Sequence, residues 1–294
     1  MNLLVTGGAG FIGSNFIKYM VANSNHNIIN VDKLTYAGNL DNLKDIADHK
    51  NYKFIKGDIC NQELIKQVVG QNIDMIINFA AESHVDRSLD NPNLFFKTNV
   101  LGTQILLDAA VENDIKKFIQ ISTDEVYGPG QTGEFHTEED TLAPTNPYAA
   151  SKASADLLVL SYQHTYGLPI NITRSTNNYG PYQYPEKIIP LFITNLLENK
   201  KVPLYGDGRH IRDWLYVKDH CRAIELIINK GKTGEIYNIS SNNRFKNIEV
   251  TKKIITNLNK SEEYIEYVKD RQGHDRAYFI DASKIKEQLN WQPE

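Results

Sequence analysis

The stretch TGGAGFIG, residues 6–13, follows the apolar run NLLVT (residues 2–6) and opens a segment with helical periodicity. Its spaced glycines, Gly7, Gly10 and Gly13, match the pattern of a tight turn between a strand and a helix. Such a turn needs residues without a Cβ, so that backbone can approach a ligand and the helix can pack against the strand. The helix start offers free N–H groups and a positive dipole end. The stretch therefore predicts a phosphate-binding turn.

The first half of the chain alternates apolar, β-branched runs with amphipathic segments. Parallel strands joined by right-handed helical crossovers produce this alternation, so we predict an α/β fold with a Rossmann-type doubly wound parallel sheet. The predicted strands are residues 2–6, 27–31, 52–56, 74–79, 117–122 and 169–174. The predicted helices are residues 11–22, 61–70, 92–113 and 147–166.

Asp32 ends the second predicted strand, about 20 residues after the glycine turn. A carboxylate at this place can accept hydrogen bonds from ribose hydroxyls and repels the 2′-phosphate of NADP. The glycines and the acid together favour an NAD site over a plain tight turn. Lys33 is the one feature that would suit NADP, although a loop lysine is more often solvated.

The regular alternation of strand and helix patterns ends at about residue 175. The segments after it are short and contain many prolines and tyrosines. We therefore expect an NAD-binding Rossmann domain at residues 1–175 and a smaller, loop-rich α/β substrate lobe at residues 176–294. Some later residues, about 208–230, are expected to return to the first domain.

The bulk composition argues against several classes of protein. The 294 residues carry a formal net charge of -4, which gives no general attraction to nucleic acid or anionic membranes. No apolar run reaches the roughly 20 residues that span a bilayer, and the start of the chain does not resemble a signal peptide. Cys60 and Cys221 are too few for a disulfide framework or a cysteine metal cluster. We expect a cytoplasmic protein without a metal.

Two groups of polar residues could carry chemistry. PYAASK (147–152) places Tyr148 and Lys152 on one face of a predicted helix. A tyrosine titrates near ~10, but a nearby lysine and a nicotinamide cation can move its pKa toward neutrality. ISTDEVYG (121–128) sets Asp124 beside Glu125 after a buried strand, where a solvated turn would be the plainer reading. Both acids can face one substrate only if the chain leaves strand geometry at about residue 122.

TGGAGFIG, YAASK and VYG together are similar to the extended short-chain dehydrogenase/reductase family of nucleotide-sugar enzymes. Longer motifs narrow the resemblance to the nucleotide-sugar 4,6-dehydratases that act on dTDP-glucose, from Met1 to the last residues. These motifs are DKLTYAGNLDNL (32–43), NFAAESHVDRS (78–88), STDEVYG (122–128), NNYGPYQYPEKIIP (177–190), GDGRHIRDWLYVKDH (206–220) and GHDRAY (273–278).

The resemblance implies a redox-neutral reaction in which NAD stays tightly bound and is regenerated in each turnover. The sugar is oxidised at C4, water is lost across C5 and C6, and the hydride returns to C6. In this scheme Tyr148, supported by Lys152, takes the C4 hydroxyl proton and Thr123 holds that hydroxyl. Glu125 is the base at C5 and Asp124 is the acid at C6. For these roles Asp124 must be protonated while Glu125 is ionised.

The resemblance also implies two sets of binding residues. Those expected at the cofactor are Gly7, Gly10, Phe11, Ile12, Gly13, Asp32, Lys33, Leu34, Thr35, Asp58, Ile59, Ala80, Ala81, Glu82, Ser83, Thr98, Tyr148, Lys152 and Asn178. Those expected at the nucleotide-diphosphate sugar are His84, Thr123, Asn177, Lys187, Ile188, Pro203, Leu204, Tyr205, Arg212, Asn247, Asp270, Arg271, Gln272, Gly273 and His274. Arginine and lysine suit a diphosphate, and an aromatic ring can lie against a pyrimidine.

The sequence departs from the family pattern at five positions. These are Gln272 in place of proline, Ala277 in place of arginine, and Ser240, Ser241 and Arg244 in place of two glycines and a glutamate. We expect these positions to lie near the nucleotide pocket, which leaves thymidine and uridine both open. The chain also ends at NWQPE where relatives continue, so it is either naturally short or truncated.

Rival functions remain open at this point. The same reaction on UDP-glucose or UDP-N-acetylglucosamine is the nearest alternative, followed by a nucleotide-sugar 4-epimerase and a decarboxylase. An epimerase has no need of the acid pair, and a non-catalytic NAD-binding module has no need of the polar groups at all. The resemblance further implies a homodimer in which residues 92–113 and 147–166 pair as a four-helix bundle.

Overall fold

The computed structural model describes residues 1–130 and 133–294. Within them the strands are Asn2–Thr6 (β1), Asn27–Asp32 (β2), Tyr52–Lys56 (β3), Met75–Asn78 (β4), Lys117–Thr123 (β5), Ile170–Ser175 (β6), Asn177–Tyr179 (β7), Val202–Tyr205 (β8), Ile211–Tyr216 (β9), Ile236–Ile239 (β10), Arg244–Lys246 (β11) and Ile265–Val268 (β12). The helices are Phe11–Asn23 (α1), Gln62–Val69 (α2), Val85–Asp90 (α3), Pro92–Phe96 (α4), Gly102–Glu112 (α5), Pro147–Tyr166 (α6), Ile188–Leu197 (α7), Val217–Lys230 (α8), Asn247–Asn257 (α9) and Ser283–Leu289 (α10).

Seven strands form one parallel sheet in the order β10-β6-β5-β4-β1-β2-β3. The order reverses between β1 and β4, which is the switch point where α/β sheets bind ligands at the carboxyl ends of their strands. The Rossmann-type fold and its six predicted strands are confirmed, with ends that shift by a residue. The sequence prediction did not include β10 in this sheet.

Helices cover both faces of the large sheet because alternate strand residues point to opposite sides. Leu3 and Val5 pack with α1 and α8 on one face, in a cluster that also contains the buried Trp291. Leu4 packs on the other face with α2, α5 and α6. The buried parallel strands thus read as continuous apolar runs, as the sequence shows.

The predicted helix at 92–113 contains a wide turn. Its middle, Lys97–Leu101, is a π-helical segment between α4 and α5. This segment carries the buried Asn99, whose side chain accepts from Glu82 N at 2.9 Å and donates to Glu82 O at 3.0 Å and Ser151 Oγ at 2.8 Å. The wide turn therefore lies where Asn99 hydrogen-bonds this helix to the loop after β4 and to α6.

The remaining elements form a smaller α/β layer. Strands β7, β9 and β11 make one small sheet, and β8 pairs with β12 in another. Phe192, Leu196 and Trp214 pack with apolar residues of α9 in a separate core. Among the described residues, no helix combines the length and apolar character needed to cross a membrane.

Candidate active site

A cleft of about 310 Å³ lies at the carboxyl ends of β1, β2, β4 and β5. Its floor is the glycine turn. Gly7 has φ 68°, and a Cβ there would lie 2.6 Å from Ala80 N. A Cβ on Gly13 would lie 2.4 Å from Gly7 O. Neither position admits a side chain, so backbone alone forms this wall of the cleft.

The first turn of α1 is an open anion site. No side chain caps it at Gly10, so its leading N–H groups stay available at the cleft, together with the positive end of the helix dipole. These are the features that a dinucleotide pyrophosphate needs. The glycine loop therefore fits that group by its donors as well as its shape.

Asp32 lies at the end of β2 with its carboxylate largely buried. Oδ2 accepts from Ala9 N at 2.9 Å and Oδ1 accepts from Leu34 N at 2.8 Å. Burial raises the pKa of Asp32, and these two bonds oppose that rise. Lys33 is engaged elsewhere, because its Nζ lies 2.7 Å from Asp58 Oδ2. A cation for a 2′-phosphate is thus already paired, which favours NAD.

Of the residues predicted at the cofactor, Leu34 is the one that does not line this cleft. Leu34 adopts φ 58° and contributes its N–H to Asp32 instead. The cleft has further walls that the sequence did not identify, including Gly38, Gly57 and Tyr184. No motif distinguished them from ordinary loop residues.

The acid pair sits on a 3₁₀ turn, Asp124–Tyr127, that directly follows β5. The strand continues one residue further than predicted, through Thr123, whose Oγ1 accepts from Glu125 N at 3.3 Å. A 3₁₀ turn rotates successive residues by about 120°, so neighbouring side chains no longer point to opposite faces as they do in a strand. Asp124 and Glu125 both line the cleft. This geometry answers how adjacent acids after a strand can reach one substrate.

The two carboxylates have different surroundings. Burial, followed by repulsion from Glu125, raises the pKa of Asp124 to about 8. Burial also raises the pKa of Glu125, but Arg212 and Lys187 oppose the rise, and Asn146 Nδ2 donates to Glu125 Oε2 at 3.4 Å. Both carboxyls are thus shifted toward the protonated form, and Arg212 opposes this shift in each of them.

Helix α6 presents Tyr148 and Lys152 to the same cleft, both buried. Lys152 Nζ donates to Ile121 O at 2.6 Å, which fixes the ammonium beneath the strand end. Burial lowers the pKa of Lys152 to about 8, while Asp156 acts to raise it. Burial and Glu125 raise the pKa of Tyr148. The chain alone thus keeps this tyrosine protonated.

A buried ion pair lies one helical turn beyond Lys152, and sequence reasoning missed it. Arg174 Nε donates to Asp156 Oδ2 at 2.9 Å, and both side chains are almost fully buried. Arg174 NH1 also donates to Tyr127 Oη at 2.8 Å. The spacing of four residues between Lys152 and Asp156 was the available signal. Asp156 of this pair thus places a negative charge near Lys152.

A second cavity of about 420 Å³ adjoins the cleft and shares Glu125, Asn177 and Lys187 with it. Lys187, Arg212 and Arg271 line this second cavity together with three acidic residues, so it holds cationic groups of the kind that bind a diphosphate. Arg212 is held in place by Ile211 O at 2.7 Å and Asp275 O at 3.0 Å. Twelve of the predicted substrate residues line this cavity, which are His84, Asn177, Lys187, Ile188, Pro203, Leu204, Tyr205, Arg212, Asn247, Arg271, Gly273 and His274.

Three predicted substrate residues lie outside the second cavity. Thr123 lines the first cleft beside Tyr148. Gln272 is exposed, and Asp270 accepts from His274 Nδ1 at 2.6 Å. Tyr278 and Trp214, which do line the cavity, were not predicted.

The five departures from the family pattern are described residues, and none of them lines either cavity. Ser240 and Ser241 donate to Asp213 at 2.7 and 2.8 Å, and Arg244 lies 3.8 Å from the same carboxylate. Ala277 is buried in a bridge with Ile211. None of the five therefore contacts the pocket directly, although Gln272 and Ala277 are sequence neighbours of the lining residues Arg271, Gly273 and Tyr278.

Comparison with known proteins gives matches over the whole chain. Residues 4–294 match the family model described as GDP-mannose 4,6 dehydratase. The chain is 53% identical to the low-salt glycan biosynthesis protein Agl12 of Haloferax volcanii, covering 100% of this chain and 94% of that protein. It is 47% identical to dTDP-glucose 4,6-dehydratase of Escherichia coli, covering 100% and 89%.

Solved structures agree with this relationship. DesIV, a dTDP-glucose 4,6-dehydratase from Streptomyces venezuelae solved with NAD bound, superposes with a TM-score of 0.98 at 45% identity, over 100% of this chain and 92% of that one. A UDP-glucose 4-epimerase from Thermotoga maritima has a TM-score of 0.93 at 30% identity, over 100% and 94%. The shape is common to both reactions, whereas the identity is higher to the dehydratase. The chain belongs to the nucleotide-sugar 4,6-dehydratase family, as its motifs predicted.

Proposed function

We propose that this protein is an NAD-dependent nucleotide-sugar 4,6-dehydratase, a hydro-lyase that converts dTDP-glucose to the 4-keto-6-deoxy sugar. The observation that carries the proposal is the cleft that holds Thr123, Asp124 and Glu125 opposite Tyr148 and Lys152. The lysine and two arginines of the second cavity beside it suit the nucleotide diphosphate, and the dTDP-glucose 4,6-dehydratases among its relatives support the choice of substrate.

Each residue has one task in the proposed reaction. Thr123 and Tyr148 hold the C4 hydroxyl, and Tyr148 takes its proton once the positive charges of Lys152 and of bound NAD have lowered the tyrosine pKa that burial raises. NAD, when bound along the glycine turn and Asp32, supplies the hydride acceptor for C4 and the hydride donor for C6. We assign Glu125, whose ionised form Arg212 and Lys187 favour, as the base that removes the C5 proton.

Asp124, protonated because of its burial, donates a proton to the departing C6 hydroxyl. Water leaves, and Glu125 returns the proton to C5. Asp124 thus acts as the proton donor and Glu125 as the proton acceptor that an elimination across adjacent carbons requires. A 4-epimerase or a decarboxylase would leave Asp124 without a task, so the acid pair favours dehydration over both.

The reaction is tested by offering dTDP-glucose, UDP-glucose, UDP-N-acetylglucosamine and GDP-mannose separately to the purified protein with no NAD added. We expect mass spectrometry to show loss of one water from dTDP-glucose. Loss of water from another nucleotide sugar instead would retain the chemistry and overturn the substrate. An altered sugar of unchanged mass would overturn the dehydratase.

The rate of water loss should depend on pH in the alkaline range. Asp124 must keep its proton and Lys152 its charge, and the pKa of each is about 8 in the free protein. Both competent forms are present below that pKa and disappear as the pH rises through it. We therefore expect kcat/KM, which depends on the pKa values of the free protein, to decline above about pH 8. A rate that stays constant well into the alkaline range would contradict this protonation scheme.

We further propose a homodimer formed through α4, α5 and α6. Leu94 on α4, Leu101 at the end of the π-helical segment and Leu157 on α6 are apolar side chains exposed by 36%, 43% and 58%. Such a patch on two neighbouring helices is typical of a covered surface, and burial against a second copy would form a four-helix bundle.

Leu157→Arg should convert the dimer to a monomer, because it places a charge within the apolar contact. Sedimentation equilibrium or light scattering on a size-exclusion column measures the mass. Leu197→Arg on α7, where the leucine is 64% exposed, is the matched control that should leave the mass unchanged. A monomeric wild-type protein would contradict the proposed dimer.

A further inference from the structure

Asp156 and Arg174 form an ion pair inside the protein, close to the candidate active site. Asp156 lies on α6, one turn after Lys152, and Arg174 lies on β6. Arg174 Nε donates to Asp156 Oδ2 at 2.9 Å, and the two side chains are 2% and 0% exposed. Apolar side chains often stabilise such a buried position at least as well as an ion pair does. Stability alone therefore does not account for these two charges.

The guanidinium of Arg174 favours the ionised form of Asp156. A guanidinium keeps its proton in a protein, so it needs an anion when it is buried. Among the described residues Arg174 bonds to one carboxylate, that of Asp156, and to the hydroxyl of Tyr127 at 2.8 Å. Tyr127 itself donates to Asn238 Oδ1 at 2.8 Å, which fixes the arginine further. Burial raises the pKa of Asp156, and Arg174 and Lys152 both oppose that rise.

One oxygen of Asp156 is free to act on Lys152. Arg174 bonds to Oδ2, whereas Oδ1 is buried and accepts no hydrogen bond from the described part of the chain. Residues four apart on a helix lie on the same face, so the carboxylate and the lysine share one side of α6. Burial lowers the pKa of Lys152 to about 8, and Asp156 acts to raise it.

The other charged or titratable groups on the elements around Lys152 lie in the cleft or are directed elsewhere. Those in the cleft are Tyr148, Asp124 and Glu125. On α3, the π-helical segment, α5 and β5, Asp86 pairs with Arg271, Asp108 bonds to Tyr162, Lys117 bonds to α8, and Arg87, Asp90, Lys97 and Glu112 are exposed. Of the described groups, Asp156 is the one whose charge shifts the pKa of Lys152.

We propose that Asp156, held by Arg174, is a positioning residue that keeps the ammonium group of Lys152 charged beside Tyr148. The inference rests on the proposed function, because Lys152 assists Tyr148 in that reaction. A charged ammonium favours the ionised form of Tyr148, which accepts the C4 proton. A neutral Lys152 would leave the tyrosine protonated and unable to accept it.

The charge on Lys152 can be followed by NMR without any substrate. The full chain is labelled with ¹³C at Cε of its lysines, and the Lys152 signal is identified by its loss in Lys152→Met. We expect Asp156→Asn to lower the midpoint of the Lys152 titration by about one pH unit or more. Asp108→Asn is the matched control, because Asp108 also accepts a hydrogen bond from a side chain of α6, that of Tyr162. Its Lys152 midpoint should equal that of the wild type.

A second variant keeps the test decisive if Asp156→Asn fails to fold. Asp156→Asn leaves the buried Arg174 without its anion, which is strongly destabilising in a protein interior. The double variant Asp156→Leu with Arg174→Met removes both charges and fills the position with apolar groups. Near-ultraviolet circular dichroism verifies its fold, and its Lys152 midpoint should fall as well.

The pH dependence of activity gives a readout that a merely structural role would not change. With dTDP-glucose, kcat/KM of Asp156→Asn should be close to the wild-type value near about pH 6 and about tenfold lower near about pH 9. A loss of activity that is the same at every pH would assign Asp156 a structural role only and overturn the inference.

The titration separates this inference from the proposed function. Equal Lys152 midpoints in the wild type and in the folded Asp156 variant would overturn the inference even if dTDP-glucose loses water. A fall of the midpoint in Asp108→Asn as large as that in Asp156→Asn would overturn it too. If dTDP-glucose is not converted at all, the proposed function fails, and the Lys152 titration still decides whether Asp156 keeps the lysine charged.

Discussion

Glu125→Gln is expected to lower the rate of water loss from the substrate by about 10²–10⁴-fold while sparing the oxidation at C4. Glutamine keeps the size and polarity of Glu125 but cannot accept the C5 proton. Tyr148, Lys152 and Thr123 remain in place, so the first step should proceed. The site would then stop between oxidation and elimination.

Two measurements separate these steps for Glu125→Gln. Reduced-nicotinamide absorbance should rise on mixing with substrate, and mass spectrometry should find no dehydrated product. Glu139→Gln changes an exposed glutamate in the segment that follows the 3₁₀ turn. It is the matched control and should react like the wild type. A Glu125→Gln protein that loses water at the wild-type rate would show that another group is the base.

Tyr148→Phe is expected to block the reaction at its start, again by about 10²–10⁴-fold. Phenylalanine retains the buried ring and its edge contact with Phe95 but has no hydroxyl to take the C4 proton. Neither oxidation nor elimination should then proceed. Both absorbance change and water loss should disappear together, in contrast to Glu125→Gln.

The matched control for this variant is Tyr166→Phe, which removes a hydroxyl from an exposed tyrosine at the end of the same helix. It should react normally. If Tyr148→Phe still shows full absorbance change on mixing with substrate, the proton at C4 has another acceptor. The role given to Tyr148 would then be wrong.

The sequence predicted the larger sheet well because its strands are buried on both faces. Runs such as NIINV and KFIQIS are continuous and β-branched, and helical periods separate them. Strand β10 was missed because IYNI is a short run in a region where regular alternation has ended. Periodicity can identify an element of this length only when the neighbouring segments alternate regularly between strand and helix patterns.

The site was predicted from sequence motifs. Motifs identify residues that are close in sequence, so contacts between distant segments were not predicted. The 3₁₀ turn after β5 was anticipated within one residue because the chemistry of Asp124 and Glu125 required a break in the strand. The Asp156–Arg174 pair was not anticipated, because its members come together only when separate segments fold. The five departures were placed near the nucleotide by analogy. Ser240, Ser241 and Arg244 contact Asp213, and Ala277 forms a bridge with the small sheet, whereas Gln272 lies between two residues that line the second cavity.

The most direct test of the central claim follows one hydrogen through the reaction. The substrate is dTDP-glucose carrying deuterium at C4, and the product is examined by NMR after a single turnover without added NAD. The proposed mechanism predicts that the deuterium appears at C6 of a 4-keto-6-deoxy sugar that has lost one water. Deuterium that remains at C4 of a sugar with its water intact would contradict the dehydration and the assignment of Asp124 and Glu125.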